Sequence, residues 1–99
     1  MILMNKINWV FVKTTLQQVK GLIEANTPGS IREARDKAWS LLSNDLPECE
    51  ETHETRQFLA DCERWLFSPS QLQTNLAGNH LQTYASIAIS SAITAAHKQ

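Results

Sequence analysis

The stretch PECEETHE, residues 47–54, holds the densest group of side chains in this sequence that could do chemistry. Cys49 and His53 are four residues apart, so on a helix they would share a face and could supply two ligands to Zn²⁺. A structural zinc site needs four ligands, and Cys62 would lie about 20 Å further along the same helix and about 220° around it. Neither a Cys-x-x-Cys nor a His-Glu-x-x-His pattern is present. The sequence therefore predicts no metal ligands, and Cys49 is interpreted as a small, half-buried apolar residue. A metal-binding protein is kept only as the third functional hypothesis.

Four glutamates make the same stretch acidic: Glu48, Glu50, Glu51 and Glu54. Asp45 followed three residues later by Glu48 is a capping-box signature, and Pro47 between them suits the first turn of a helix. Carboxylates there are stabilised by the positive end of the helix dipole, by about 0.3–1 kcal/mol each. We interpret the stretch as the acidic start of a helix. The functional alternative is an acidic surface that docks a basic partner, and the four glutamates are candidate binding residues.

Three lysines recur every seven residues near the N-terminus: Lys6, Lys13 and Lys20. On a helix this spacing places the ammonium groups in a row about 10 Å apart, beside the apolar side. Lysines in such positions commonly extend along the edge of a core and keep it soluble. The functional alternative is a stripe that binds phosphates or carboxylates, so all three are also candidate binding residues.

Patterns associated with catalysis are missing from the sequence. It contains no Gly-rich phosphate-binding loop and no Gly-x-Ser-x-Gly motif, and no paired carboxylates flank a recognisable apolar pocket. The sequence therefore predicts a protein that is not an enzyme, with no catalytic residues and no cofactor.

Length and composition describe one ordinary globular domain, residues 1–99, with 42% hydrophobic and 19% charged residues. Nine Lys/Arg against ten Asp/Glu give a formal charge of -1, so no global field attracts the protein to nucleic acid or to an anionic membrane. No segment reaches the ~20 apolar residues that span a bilayer, and the N-terminus lacks a signal-peptide pattern. Two cysteines are too few for a disulfide scaffold. These features predict a cytoplasmic location and no membrane partner.

The first element that must position these groups covers residues 5–26. Its apolar stripe recurs at steps of three and four residues: Trp9, Val12, Leu16, Val19 and Ile23. That spacing predicts one amphipathic helix. The aromatic and β-branched residues of INWVFV, residues 7–12, leave a strand there as the alternative.

Three Ser/Asp-x-x-Glu/Gln signatures predict the starts of the later helices: Ser30 with Glu33, Asp45 with Glu48, and Ser68 with Gln71. The second helix is predicted to end near Asn44, and the third is predicted to bury Phe58 in its C-terminal half. A change in the phase of the apolar stripe at Gly78-Asn79 predicts a kink or break, giving four or five helices in all. Short linkers between long helices favour antiparallel neighbours. The predicted fold class is therefore all-α, either a compact bundle or stacked helical hairpins.

The C-terminal segment ASIAISSAITAAHK, residues 85–98, is small or apolar on nearly every side. A helix without a polar face lies either at the centre of a bundle or against another chain, and both alternatives stay open. Ile87, Ile89 and Ile93 fall off the main apolar stripe, so something should cover them.

These features favour a non-enzymatic protein–protein interaction protein: an adaptor, an inhibitor or immunity-type protein, or a small subunit of a multi-subunit complex. Docking would be steered by the lysines or the glutamates and anchored by Phe11, Phe67 or the C-terminal isoleucines. Small bacterial and phage proteins commonly share this layout, and a homo-oligomer could form through the C-terminal helix. The first alternative is a helical subunit that contacts nucleic acid through the lysines.

Overall fold

The computed structural model describes residues 7–67 and 79–99, and in these residues every regular element is helical, without strands. Its four α-helices are α1 (Trp9–Ala25), α2 (Pro28–Ser40), α3 (His53–Cys62) and α4 (Asn79–His97). Five-residue π-helical turns follow α2 and α3, at Leu41–Asp45 and Glu63–Phe67, and one 3-10 turn, Glu50–Thr52, leads into α3. The all-α prediction is confirmed. The predicted start at Ser68 with Gln71 lies outside the described residues.

Helix α1 includes the last four residues of the segment INWVFV, Trp9 to Val12, so the helix prediction is correct there and the strand alternative is wrong. Four residues of the predicted stripe are fully buried: Val12, Leu16, Val19 and Ile23. Asn8 caps the helix, because its side-chain oxygen accepts the N–H of Phe11 at 3.1 Å. Asn26 ends it in the left-handed conformation, at φ 53. The periodic burial of one face outweighs the local β preference of the first residues.

Helix α2 begins earlier than the Ser30/Glu33 signature predicts. Thr27 is the N-cap residue: its Oγ1 accepts the N–H of Ser30 at 3.0 Å, and Ser30 Oγ accepts the N–H of Thr27 at 2.9 Å. Pro28 occupies the first helical position, where a missing N–H leaves no bond unmade. Ser30 therefore does belong to a capping box, but at the third helical position and not as the N-cap residue. The π-helical turn after α2 ends at Asp45, close to the predicted end near Asn44.

The predicted start of α3 at Asp45 with Glu48 is wrong. The N–H of Leu46 donates to the Leu41 carbonyl at 2.9 Å, which closes the π-helical turn, and Leu46 is fully buried. The chain therefore cannot begin a new helix at Asp45 and runs non-helically through residues 46–49. Cys49 is instead the N-cap residue of the 3-10 turn that leads into α3, and its N–H donates to Thr52 Oγ1 at 3.3 Å.

Helix α4 packs against both α1 and α3 and runs antiparallel to them. Three contacts show these directions: Gln82 Nε2 donates to the Ile23 carbonyl at 3.2 Å, Cys62 Sγ donates to the Ala85 carbonyl at 3.3 Å, and Lys98 Nζ lies 3.6 Å from Glu54 Oε1. Helices α1 and α2 form an antiparallel hairpin through the short link at Asn26-Thr27. The described helices share one hydrophobic core.

The side of α4 that faces this core is built mainly of alanine: Ala85, Ala88, Ala92, Ala95 and Ala96, with Ile89 among them. Small side chains at a helix contact let the helix axes approach closely, and dense packing then leaves no room for larger ones. Ile89 is fully buried and Ile93 packs against the core, whereas Ile87 stays exposed. In the described residues, α4 is therefore a central helix with one uncovered side.

Arg56 connects α3 to the end of the α2 segment. Its Nη1 donates to the carbonyl of Leu42 at 3.1 Å and also to the carbonyl of Leu46. Its Nη2 lies 3.8 Å from the Glu48 carboxylate. Carbonyls at the end of a helical segment lack N–H donors from their own helix, and the guanidinium supplies them here. Arg56 thereby holds the start of α3 against residues 42–48.

Substituting Ala92→Leu tests the close packing of α4. We expect the free energy of unfolding to fall by about 1–3 kcal/mol, because the added atoms meet a filled core. Urea denaturation followed by circular dichroism measures this. Ala60→Leu, at an exposed position of α3, is the matched control and should change stability by less than about 0.5 kcal/mol. Equal effects of the two substitutions would contradict close packing at Ala92.

Substituting Arg56→Met tests the contact between α3 and residues 42–48. Two carbonyls lose a charged donor, so we expect the free energy of unfolding to fall by about 1–3 kcal/mol in urea denaturation. Arg64→Met is the matched control, because Arg64 is exposed and, among the described residues, pairs only with Asp61 across 3.6 Å. Its effect should stay below about 0.5 kcal/mol. If Arg64→Met lowered the free energy of unfolding as much as Arg56→Met, the inferred contribution of the Arg56 hydrogen bonds would be wrong.

Candidate interaction surface

The predicted glutamates lie around the entry to α3. Glu50 and Glu51 belong to the 3-10 turn and are exposed, and neither forms an ion pair with the described residues. A shallow depression of about 570 Å³ opens beside them, lined by Cys49, Glu50, Glu51, His53, Glu54 and Gln99. All four glutamates of PECEETHE are therefore exposed, but Glu50 and Glu51 sit on a 3-10 turn that precedes the α-helix.

The other two glutamates are compensated by cations. Glu48 precedes the helical residues and lies 3.8 Å from Arg56, whereas Glu54 is in the first turn of α3 and lies 3.6 Å from Lys98. The four glutamates are thus not equivalent. The uncompensated negative charge is concentrated at Glu50 and Glu51.

The predicted lysine row is only partly described. Lys6 lies outside the described residues, and Lys13 is half-buried on α1 without an ion-pair partner among them. Lys20 Nζ lies 2.8 Å from Glu24 Oε2, one helical turn further along. Because Lys20 is neutralised locally, the two described lysines do not make a continuous cationic stripe.

A groove between α3 and α4 is an exposed feature of the described surface that carries large apolar side chains. It measures about 420 Å³ and is lined by Glu54, Phe58, Ser86, Ile87, Ser90, Ser91, Thr94, Ala95 and Lys98. Ile87 is 58% exposed, and Phe58, predicted to be buried, is only half-buried across from it. The sequence predicted that Ile87 would be covered by another element, but it did not indicate that α3 would place Phe58 beside it.

Two aromatic residues extend this apolar surface by one helical turn. Tyr84 precedes Ile87 by three residues on the same side of α4, and its ring lies 5.0 Å from the ring of Trp65, measured between centroids. Tyr84 is 46% exposed. We call the combined surface, formed by the groove lining with Trp65 and Tyr84, the α3–α4 groove.

Other exposed apolar residues lie away from the α3–α4 groove. Phe11, predicted as an anchor, is about half exposed near the start of α1, beside the exposed Val10. Trp39 on α2 is covered on one side by the Arg35 guanidinium, 4.9 Å from the ring centroid. The side chain of Phe67, the other predicted anchor, lies outside the described residues. None of the described three joins the groove lining.

Cys49 and His53 do not share a helical face, because Cys49 is the cap residue that precedes the helical residues. Within residues 7–65 and 81–99, no group of three His, Cys, Asp or Glu side chains could hold a metal ion. Cys49 is exposed, contrary to the prediction of a half-buried thiol. Hydrogen bonds from the Thr52 hydroxyl, and then from the Thr52 backbone N–H, hold the pKa of Cys49 below its usual range. Burial raises the pKa of Cys62 to about 12.

No protein-family model, curated protein or solved structure matches this chain. Functional inference therefore rests on the surface of the described helices. Among these helices, none is both long and apolar enough to cross a bilayer.

Alkylation by iodoacetamide tests the cap at Cys49. The thiolate is the reacting form, so in the native protein we expect Cys49 to react with a pH midpoint below 9.0 while Cys62 stays protected. Substituting Thr52→Val removes the hydroxyl that stabilises the thiolate. The midpoint should then rise and the rate at neutral pH should fall, as measured by mass spectrometry.

Thr52→Ser is the matched control, because it keeps the hydroxyl and should retain the original midpoint. Circular dichroism checks that both variants stay folded. Equal alkylation rates for Thr52→Val and Thr52→Ser at neutral pH would contradict the role of the hydroxyl.

Proposed function

We propose that this protein is a non-enzymatic protein–protein interaction protein that docks its partner in the α3–α4 groove. The observation that supports this most directly is Ile87, which is 58% exposed in a groove that Phe58 also lines. Fully burying a side chain of this kind contributes about 1.5–3 kcal/mol. Large apolar side chains that become buried in a concave surface are typical anchors of protein interfaces.

The rest of the groove supports the same proposal. The surface of α4 in the groove carries the small side chains of Ser90, Ser91 and Thr94. Because these side chains are short, the backbone of a partner can approach α4 between the larger side chains. Tyr84 and Trp65 add an aromatic end, and aromatic residues are enriched in interfaces. An adaptor, an inhibitor or immunity-type protein, or a small subunit of a larger assembly would each use such a surface.

The described lysines give the nucleic-acid alternative no support, because Lys20 is already paired with Glu24. The two cysteines, Cys49 and Cys62, are free thiols. Free thiols fit a reducing compartment, so we place the protein in the cytoplasm as part of the proposal.

Affinity purification from the native host tests the proposed docking surface. Tagged wild-type protein should recover a stoichiometric partner that mass spectrometry identifies, and Ile87→Glu should lower its recovery at least tenfold. A charge placed in the apolar groove must be desolvated when the partner docks, which weakens binding.

Val10→Glu is the matched control, because Val10 is 75% exposed on α1, away from the groove. It should leave recovery of the partner unchanged. Urea denaturation of both variants confirms equal stability. A partner recovered equally well by Ile87→Glu and wild type would show that the groove is not the docking surface.

A further inference from the structure

We infer that the α3–α4 groove binds a single amphipathic helix that carries an apolar stripe and lysine or arginine residues at one end. This inference rests on the proposed function and adds the chemistry and orientation of the partner. It follows from the shape of the groove and from the charges at its ends.

The shape of the groove favours a helix. Its walls are two antiparallel helices. Its lining runs from Ser86 on α4 to Lys98 directly after that helix, about 18 Å at 1.5 Å per residue. A partner helix of about 12 residues, or three turns, matches this length. The described residues include no strand, so no sheet edge is present there to pair with an extended peptide.

The spacing of the apolar contacts also suits a helix. Tyr84 and Ile87 are three residues apart on α4, and Phe58 stands on the opposite wall. Between and beyond them lie the small residues Ser91 and Thr94. A helix laid along this surface would contact Tyr84 and Ile87 with apolar residues spaced by three and four, and its backbone would pass over the serines.

The charges set the orientation of the partner. Glu54 lines both the groove and the acidic depression, so the two are continuous at the start of α3. There Lys98 is paired with Glu54, while Glu50 and Glu51 have no cation among the described residues. Cationic side chains of the partner should therefore lie at this end.

The same charges disfavour a second copy of this chain as the occupant. Among the described residues that line the groove, the only cation is Lys98, which is already paired with Glu54. If two copies docked groove to groove, no unpaired cation from the described groove lining of one copy would reach Glu50 or Glu51 of the other. A separate partner with unpaired lysines or arginines would supply it.

Two synthetic peptides of about 15 residues test the inference. Both carry the same leucines at helical spacing, but one has lysines and the other glutamates at the polar positions near one end. Fluorescence anisotropy at about 50 mM salt, where charges are weakly screened, should show at least tenfold tighter binding of the lysine peptide. Ile87→Glu should remove this binding, and Val10→Glu should not.

The double substitution Glu50→Gln/Glu51→Gln should weaken binding of the lysine peptide by about three- to tenfold at low salt and by less than about twofold at 500 mM salt. Glu33→Lys, on the exposed surface of α2, changes the net charge by the same two units as the double substitution and should have no such effect.

Equal affinity for both peptides, binding that persists in Ile87→Glu, or no binding of either peptide would overturn the inference. Self-association that Ile87→Glu abolishes, seen by light scattering, would overturn it in favour of a second copy. If the native partner still depends on Ile87 while neither peptide binds, the proposed function stands and only the helical, basic partner is wrong. If recovery of the native partner is also independent of Ile87, both fail.

Discussion

The alanine side of α4 is the constraint on which the other described helices depend. Ala85, Ala88 and Ala92 are small enough for α1 and α3 to pack against the same helix from two directions. That arrangement buries the apolar stripe of α1 and brings α2 with it through the short link at Asn26-Thr27. Because dense packing has little free volume, side-chain size on this one helix determines how close its neighbours lie.

The same packing produces the surface that we propose as functional. A helix held between two neighbours covers only the part of its circumference that faces them, and the opposite side of α4 is left open. On that side the chain places Ser90, Ser91 and Thr94, which form a low strip, with Ile87 projecting beside it. Helix α3 supplies the second wall through Phe58. The groove is thus a consequence of the bundle, since neither helix would form it alone.

Electrostatics at the start of α3 comes from a local detail of the backbone. Because Leu46 is buried after a π-helical turn, the next helical turn begins only at Glu50. Arg56 holds this connection in place by donating to the carbonyls of Leu42 and Leu46. Arg56 also neutralises Glu48, and Lys98 neutralises Glu54. A cluster of four glutamates that looks uniform in the sequence is thereby divided into paired and unpaired carboxylates. Only the unpaired ones give the groove a charged end.

The sequence by itself determined the helical class, the buried stripe of α1, the approximate end of α2 and the position of Ile87 off the main apolar stripe of α4. These are local properties, set by apolar periodicity and turn chemistry, and neighbouring residues suffice to specify them. The tertiary structure decided where α3 begins, which carboxylates are compensated and which residues stand beside Ile87. Phe58 was predicted to be buried and Cys49 half-buried, and both are more exposed than that. Such outcomes depend on contacts between residues distant in the chain, and spacing along a sequence carries no record of the distance between helices.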